Sequence, residues 1–378
     1  MTVALLLGLV HAATDLVTIT TLFRATGLDA VGSGTVFAWV LAYDALAFAG
    51  QPLIGLAADR MRPGRVLLGG LAVVGAGLGA AGLAGAHSGL GLTAVLLAAL
   101  GNAVAHLGAG AVVLRADLTR AAPAGLLVAP GAVGLGLGLW FGRSSSIGPL
   151  WWVAVPLVAA AALVVRLDRA GALDPAHRWW RPSGWTGERL HTVPAGTAAA
   201  AAALLLLTSV AIRSLVGSSA ARGYPPGPWL AVGIPAVAFA GKALGGLLAD
   251  RVGWLRTTVG ALLVSAPLIA VRHDGPALLL VGLLVFQLTM PVTLVAIGRL
   301  LPARPATAFG LPCAALLVGS LPASFAWGAQ LCSRPMLGAW AVLSAAAAWG
   351  GLTALGSRWR RTPPTRTALE PTAVPVAP

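Results

Sequence analysis

The chain has 378 residues, of which 58% are hydrophobic and only 10% charged, with a mean hydropathy of +0.87. Soluble domains carry about 25% charged residues because their surfaces face water, so 25 basic and 11 acidic side chains are too few to coat a soluble particle of this size. The net charge of +14 does not point to nucleic acid either, because the arginines are scattered through short loops and not gathered with aromatics on one face.

A helix needs about 20 apolar residues to cross a bilayer, and twelve stretches come near that length: 2–23, 34–58, 65–85, 89–114, 123–142, 148–166, 196–217, 229–250, 257–272, 277–300, 306–330 and 336–356. The first has no basic leader and contains His11 and Asp15, so it reads as a span and not as a cleaved signal. His11 and Asp15 are four apart and share one helix face. The second span contains Asp44 and ends in Gly55-Leu56-Ala57-Ala58-Asp59-Arg60, with Arg65 just beyond. Asn102 and His106 lie one turn apart in the fourth, which ends at Arg115, and Gly125, Pro130 and Gly134 punctuate the fifth. Counted from the ends taken as cytoplasmic at 1.5 Å per residue, His11 and His106 lie roughly 12–15 Å deep, and Asp15 and Asp44 roughly 20 Å.

Residues 167–195 form the longest polar stretch and read as a linker, with Trp179, Trp180 and Trp185 expected at the level of the lipid headgroups. Beyond it, Arg213 falls about one turn from the end of the seventh span, and Lys242 about two turns from the end of the eighth. Both are long enough to snorkel to the headgroups, and Arg213 is alternatively a ligand for an anionic substrate or a partner for a buried carboxylate. The eighth span closes with Gly246-Leu247-Leu248-Ala249-Asp250-Arg251. Cys313 and Cys332 lack metal-ligand spacing, so neither a disulfide framework nor a metal site is expected, nor any cofactor. The tail, 358–378, rich in Pro, Thr and Ala, is expected to be disordered.

The Asp59 and Asp250 loops are two copies of one pattern, 191 residues apart. Each ends the second span of its half on the same side, as in parallel repeats related by an axis along the membrane normal. The same offset pairs Gln51 with Lys242. Placing both termini inside puts 18 of the 25 basic residues in the cytoplasm, as positive-inside asymmetry requires. The expected architecture is therefore an all-α polytopic membrane protein of two parallel-repeat halves, 1–166 and 196–357, in a cell membrane with cytoplasmic termini.

These paired loops resemble the signature of the major facilitator superfamily, a Gly-x-Leu-Ala-Asp-Arg-x-Gly-Arg run between the second and third spans. The first copy continues Met61-Arg62-Pro63-Gly64-Arg65, one residue longer than that pattern. The likeness extends from residue 1 to about 357. It implies that Asp59 and Asp250 brace a cytoplasmic gate, with Arg60, Arg65, Arg115 and Arg251, by pairing with arginines and with the N-terminus of a neighbouring helix. Arg115 is the expected partner of Asp59. A narrower similarity is to fosmidomycin-resistance-like efflux proteins, through His11-Ala12-Ala13-Thr14-Asp15 and Arg213-Ser214-Leu215-Val216-Gly217. That branch carries Phe-His-Pro-Glu where this chain has Ala105-His106-Leu107-Gly108, without the proline and glutamate. Gly125, Pro130 and Gly134 look like a degraded form of the superfamily's antiporter motif.

Ionisable groups inside a span face a cavity or a partner, and a carboxylate in a low-dielectric cavity exchanges its proton nearer neutrality than one in water. His11, Asp15, Asp44, Asn102, His106 and Arg213 are accordingly the candidate proton-coupling and cavity residues, against the alternative that they only tie helices together. The resemblance implies a monomeric secondary transporter of small molecules in the lipid bilayer, exporting them in exchange for protons. Uptake by proton symport and a non-transporting membrane sensor are the alternatives. No nucleophile and base at suitable spacing, and no phosphate-binding loop, suggests an enzyme or ATP-driven pump.

Overall fold

In a computed structural model, the described residues are 1–26, 33–84, 89–143, 151–177, 180, 194–225, 227–271 and 276–356. Trp179, Trp185, most of the linker and the tail expected beyond residue 357 lie outside them. The described residues are helical, without a strand.

The first half comprises α1 (Thr2–Thr26), α2 (Ser33–Asp44), α3 (Gln51–Ala58), α4 (Pro63–Leu83), α5 (Gly89–Ala116), α6 (Ala122–Arg143) and α7 (Trp151–Arg169). The second comprises α8 (Gly196–Ser219), α9 (Pro228–Val252), α10 (Trp254–Ala270), α11 (Ala277–Gln287), α12 (Met290–Leu300), α13 (Pro305–Ser324) and α14 (Arg334–Ala354). Among the described residues, ten continuous segments are long and apolar enough to cross a membrane, with Val36–Ala58 and Ala277–Leu300 each counting as one. Two further helices complete the twelve passages: α10, shorter and apolar, and α7, whose last turn carries Arg166, Asp168 and Arg169.

Two spans are less regular than hydropathy implies. A π-helical turn, Ala45–Ala49, joins α2 to α3, and Gln51 steadies it by donating to the Ala47 carbonyl at 2.7 Å. Leu288 and Thr289 interrupt the tenth passage between α11 and α12. Such interruptions persist in membranes where side chains satisfy the freed backbone groups. Trp180 departs from the headgroup position expected for it. It is buried, its indole N–H donates to the Ala172 carbonyl at 2.9 Å, and its own carbonyl accepts from Arg120 at 3.3 Å. A carbonyl within reach of the indole satisfies its one donor, so the ring packs inward.

Packing within each half follows the sequence repeat, with α1 against α6 and α7, and α8 against their counterparts α13 and α14. The halves meet where α3 lies on α13 and α6 on α9. Both contacts are glycine-mediated. A β-carbon on Gly55 would lie 2.8 Å from the Thr307 backbone, and one on Gly246 would lie 2.8 Å from Ala122 Cα. Only a residue without a side chain lets backbones approach this closely.

Candidate functional site

Asp59 and Asp250 sit four residues after these glycines, and each caps a helix of the opposite half. The Asp59 carboxylate accepts from the backbone N–H groups of Ala306 (2.7 Å) and Thr307 (3.1 Å) and from the Thr307 hydroxyl (2.7 Å), at the start of α13. The Asp250 carboxylate accepts from the N–H groups of Ala121 (2.7 Å) and Ala122 (3.0 Å), at the start of α6, and from the Trp254 indole at 3.4 Å. Helix N-termini present unpaired donors and a partial positive charge, so a carboxylate there is doubly favoured. Arg115 reaches the backbone carbonyl of Asp59 at 3.4 Å, while the carboxylate itself turns to α13. Arg60, Arg65 and Arg251 are exposed.

One cross-half contact at this end escapes the sequence reading. Arg299, at the end of the tenth passage, donates to the Leu118 carbonyl of the first half and lies over the Trp254 ring, 4.3 Å from its centroid. Its place in the second half matches that of Arg115 in the first, which is the signal that could have found it.

Deeper in the first half, α1 and α5 bring His11, Asp15, Asn102 and His106 together. His11 Nε2 lies 3.1 Å from one Asp15 carboxylate oxygen and His106 Nε2 lies 3.4 Å from the other. The three side chains are 10%, 17% and 11% exposed. Asn102 donates to Asp15 at 3.1 Å and to the Thr18 hydroxyl at 3.1 Å, and Thr18 also accepts from the Tyr43 hydroxyl at 3.1 Å. The two imidazoles meet edge to face with centroids 4.2 Å apart. Gly131 of α6 makes room for His11, since a β-carbon there would lie 2.7 Å from two of its ring carbons. Gly131→Ala is accordingly expected to cost about 1–3 kcal/mol of stability, read as a lower unfolding midpoint of the purified protein in detergent.

The hydrogen bonds on the far side of each ring fix what the near side must hold. His11 Nδ1 lies 3.0 Å from the Leu127 carbonyl and His106 Nδ1 lies 2.8 Å from the Asn102 carbonyl. Carbonyls only accept, so both Nδ1 atoms carry hydrogen. A neutral ring then turns an Nε2 lone pair toward an Asp15 oxygen, and each contact is attractive only with a proton between the two atoms. The cluster is thus a place for up to two shared protons. Its two imidazole nitrogens and one carboxylate oxygen, all within 4.8 Å of one another, are also a donor set that suits a divalent transition metal. The void beside the rings is about 10 Å³ and is walled by Val10, Leu67, Ala105, Ala109 and Phe309, among others. At that volume it holds about one water at most, too few to complete a metal's shell, so protons fit the space better.

The Asp44 side chain, expected at the depth of Asp15, makes no hydrogen bond or ion pair among the described residues. Arg213 is buried in the second half, where its guanidinium donates to the Thr289 hydroxyl, to the Thr293 hydroxyl at 2.8 Å and to the Ser209 carbonyl at 3.4 Å. Arg213, Lys242 and Thr293 line a cavity of about 240 Å³ between α8, α9, α11, α12 and α13, which Val128 of α6 reaches from the first half. Phe309 lines both this cavity and the small void beside the histidines. In the fifth passage Gly134 packs on Ala12 of α1, Pro130 on Gly8, and Gly125 on the Lys242 carbonyl of α9, so this motif serves helix approach both within and between halves.

No protein-family model matches the chain, and no curated protein does. Solved structures match over nearly the whole length. A major facilitator superfamily transporter, FucP, in its outward conformation aligns with a TM-score of 0.63 at 14% identity, over 94% of this chain and 98% of that one. A second structure of FucP, the fucose:proton symporter of E. coli, gives 0.65 at 14% identity, over 93% and 98%. The human organic anion transporter MFSD10 gives 0.65 at 16% identity, over 92% and 97%. At such identities the likeness is one of architecture: the chain has the major facilitator fold.

Proposed function

We infer that the chain is a secondary active transporter that moves a small molecule across a cell membrane by alternating access, coupled to protons. The observation that carries this reading is the His11–Asp15–His106 cluster, whose two contacts each call for a proton within a fold of two halves around a cavity. Asp59 and Asp250 act as the gate that the superfamily resemblance implies, at the end taken as cytoplasmic. With both caps made, that end is closed, and loading from the other side follows. Export in exchange for protons is the leading direction, supported by the likeness of His11, Asp15 and Arg213 to the fosmidomycin-resistance-like branch and by the Gly125–Pro130–Gly134 motif.

Uptake by symport is the second reading, and a specific observation favours it. Lys242, on the cavity wall, lies within electrostatic reach of Asp15. A proton arriving at Asp15 leaves Lys242 less engaged by that carboxylate, so a cargo of opposite charge would bind together with the proton. The test has two parts. A ligand screen on purified protein identifies cargo by thermal stabilisation. Proteoliposomes loaded with a pH-sensitive dye are then given that cargo, which is expected to drive proton movement opposite to its own for export, or alongside it for symport. Cargo movement with no accompanying proton flux overturns the coupling.

A further inference from the structure

We propose that the 240 Å³ cavity binds an organic oxyanion, a carboxylate, sulfonate or phosphate carried on a compact apolar body; this rests on the transporter reading and names its cargo class. The first support is a charge imbalance. Arg213 and Lys242 both line the cavity, whereas none of its lining residues is Asp or Glu. Among the described residues neither cation has a carboxylate within 4.0 Å, Asp15 acting on Lys242 only from a greater distance. A buried cation without a counter-charge is strongly disfavoured at bilayer depth and marks a ligand or ion path.

Snorkelling does not account for Arg213. Its guanidinium is held by Thr289 and Thr293, which flank the start of α12 in the middle of the tenth passage, so the group is tied to mid-span and drawn away from the helix end. Its partners are two hydroxyls and a carbonyl, all neutral. They use Nε–H and one N–H on each terminal nitrogen. One N–H remains on each, leaving two charged donors of the kind that oxyanion oxygens accept from.

The walls settle the rest of the ligand. Ser214, Ser218 and Gln287 add neutral polar groups beside the cations, while Phe286, Met290 and Phe309 supply an apolar surface. A bare halide would leave that surface and most of the volume unused. An aromatic or aliphatic body bearing one oxyanion fills both parts.

The probes are three compounds of one size: benzenesulfonate, its neutral analogue benzenesulfonamide, and phenyltrimethylammonium. Purified full-length protein in neutral detergent at low chloride is titrated with each and its unfolding temperature recorded. Benzenesulfonate is expected to raise that temperature, and the other two to leave it unchanged. Arg213→Gln and Lys242→Gln are each expected to weaken the sulfonate response at least 10-fold in apparent Kd. Because each removes an uncompensated charge, the ligand-free variants should unfold no lower than wild type, which separates lost binding from lost folding. Equal stabilisation by the sulfonamide, no stabilisation by the sulfonate, or a wild-type response in both variants overturns the proposal. Binding without any movement of benzenesulfonate in proteoliposomes would fault the transport reading while leaving the anion site in place.

Discussion

Asp15→Asn is expected to abolish proton-driven accumulation of cargo while leaving cargo-for-cargo exchange intact. One pH unit is worth about 1.4 kcal/mol per proton, so a two-unit gradient and one proton per cargo molecule sustain about a 100-fold concentration ratio. With asparagine that ratio should collapse to about one. The substitution is close to isosteric, and its carboxamide still accepts from Asn102 and donates to one imidazole Nε2, so the local packing survives. It cannot take up or release a proton, and the two Nε2···O contacts lose their common anion. Asp44→Asn, outside the cluster, is the matched control and should keep most of the accumulation. The measurement is accumulation in proteoliposomes with and without an imposed pH gradient, alongside exchange at equal pH. A D15N protein that still accumulates cargo places coupling elsewhere.

The second large effect concerns the gate. Each capping carboxylate is worth about 1–2 kcal/mol to the helix it caps, and Asp59 and Asp250 both cap across the halves. Asp59→Ala with Asp250→Ala should therefore shift the balance between the two transport states by about 3 kcal/mol, on the order of 100-fold, away from the form closed at this end. Spin labels on Arg60→Cys and Arg304→Cys, exposed positions in opposite halves, report the separation. Cys313 and Cys332 are buried and leave the background low. Wild type should give a single short distance and the double variant a second, longer one. An unchanged distribution in the double variant would remove the caps from the gating mechanism.

The spans were legible because hydrophobic length is a property of the chain alone. The first was expected over 2–23 and runs Thr2–Thr26, and the short ninth passage, expected over 257–272, is Trp254–Ala270. The π turn at Ala45–Ala49 and the break at Leu288–Thr289 were not legible, since side-chain composition there stays apolar and only the hydrogen-bond register changes. In the site, the four-residue spacing of His11 and Asp15 gave one shared face, and the structure adds His106 to the same carboxylate. Depth along a helix placed Asp44 level with Asp15 but carried no information on rotation about the helix axis, and Asp44 is not among the groups that meet Asp15. Arg213 reads in sequence as a residue near a helix end, because Thr289 and Thr293, which draw it inward, are common side chains 76 and 80 positions away.

The two aspartate caps are crossed, one running from each half to the other. Two rigid bodies joined by a pair of opposed latches behave like a door with two bolts. Drawing one leaves the door shut, and neither can be half drawn, since a carboxylate either reaches its N–H groups or does not. On the proposed gating role, opening at this end is then a single concerted event with no stable ajar position. If the caps act as the proposed gate, cargo in the cavity would then be exposed to one compartment or the other and never to both, and the membrane would not leak as the halves rock.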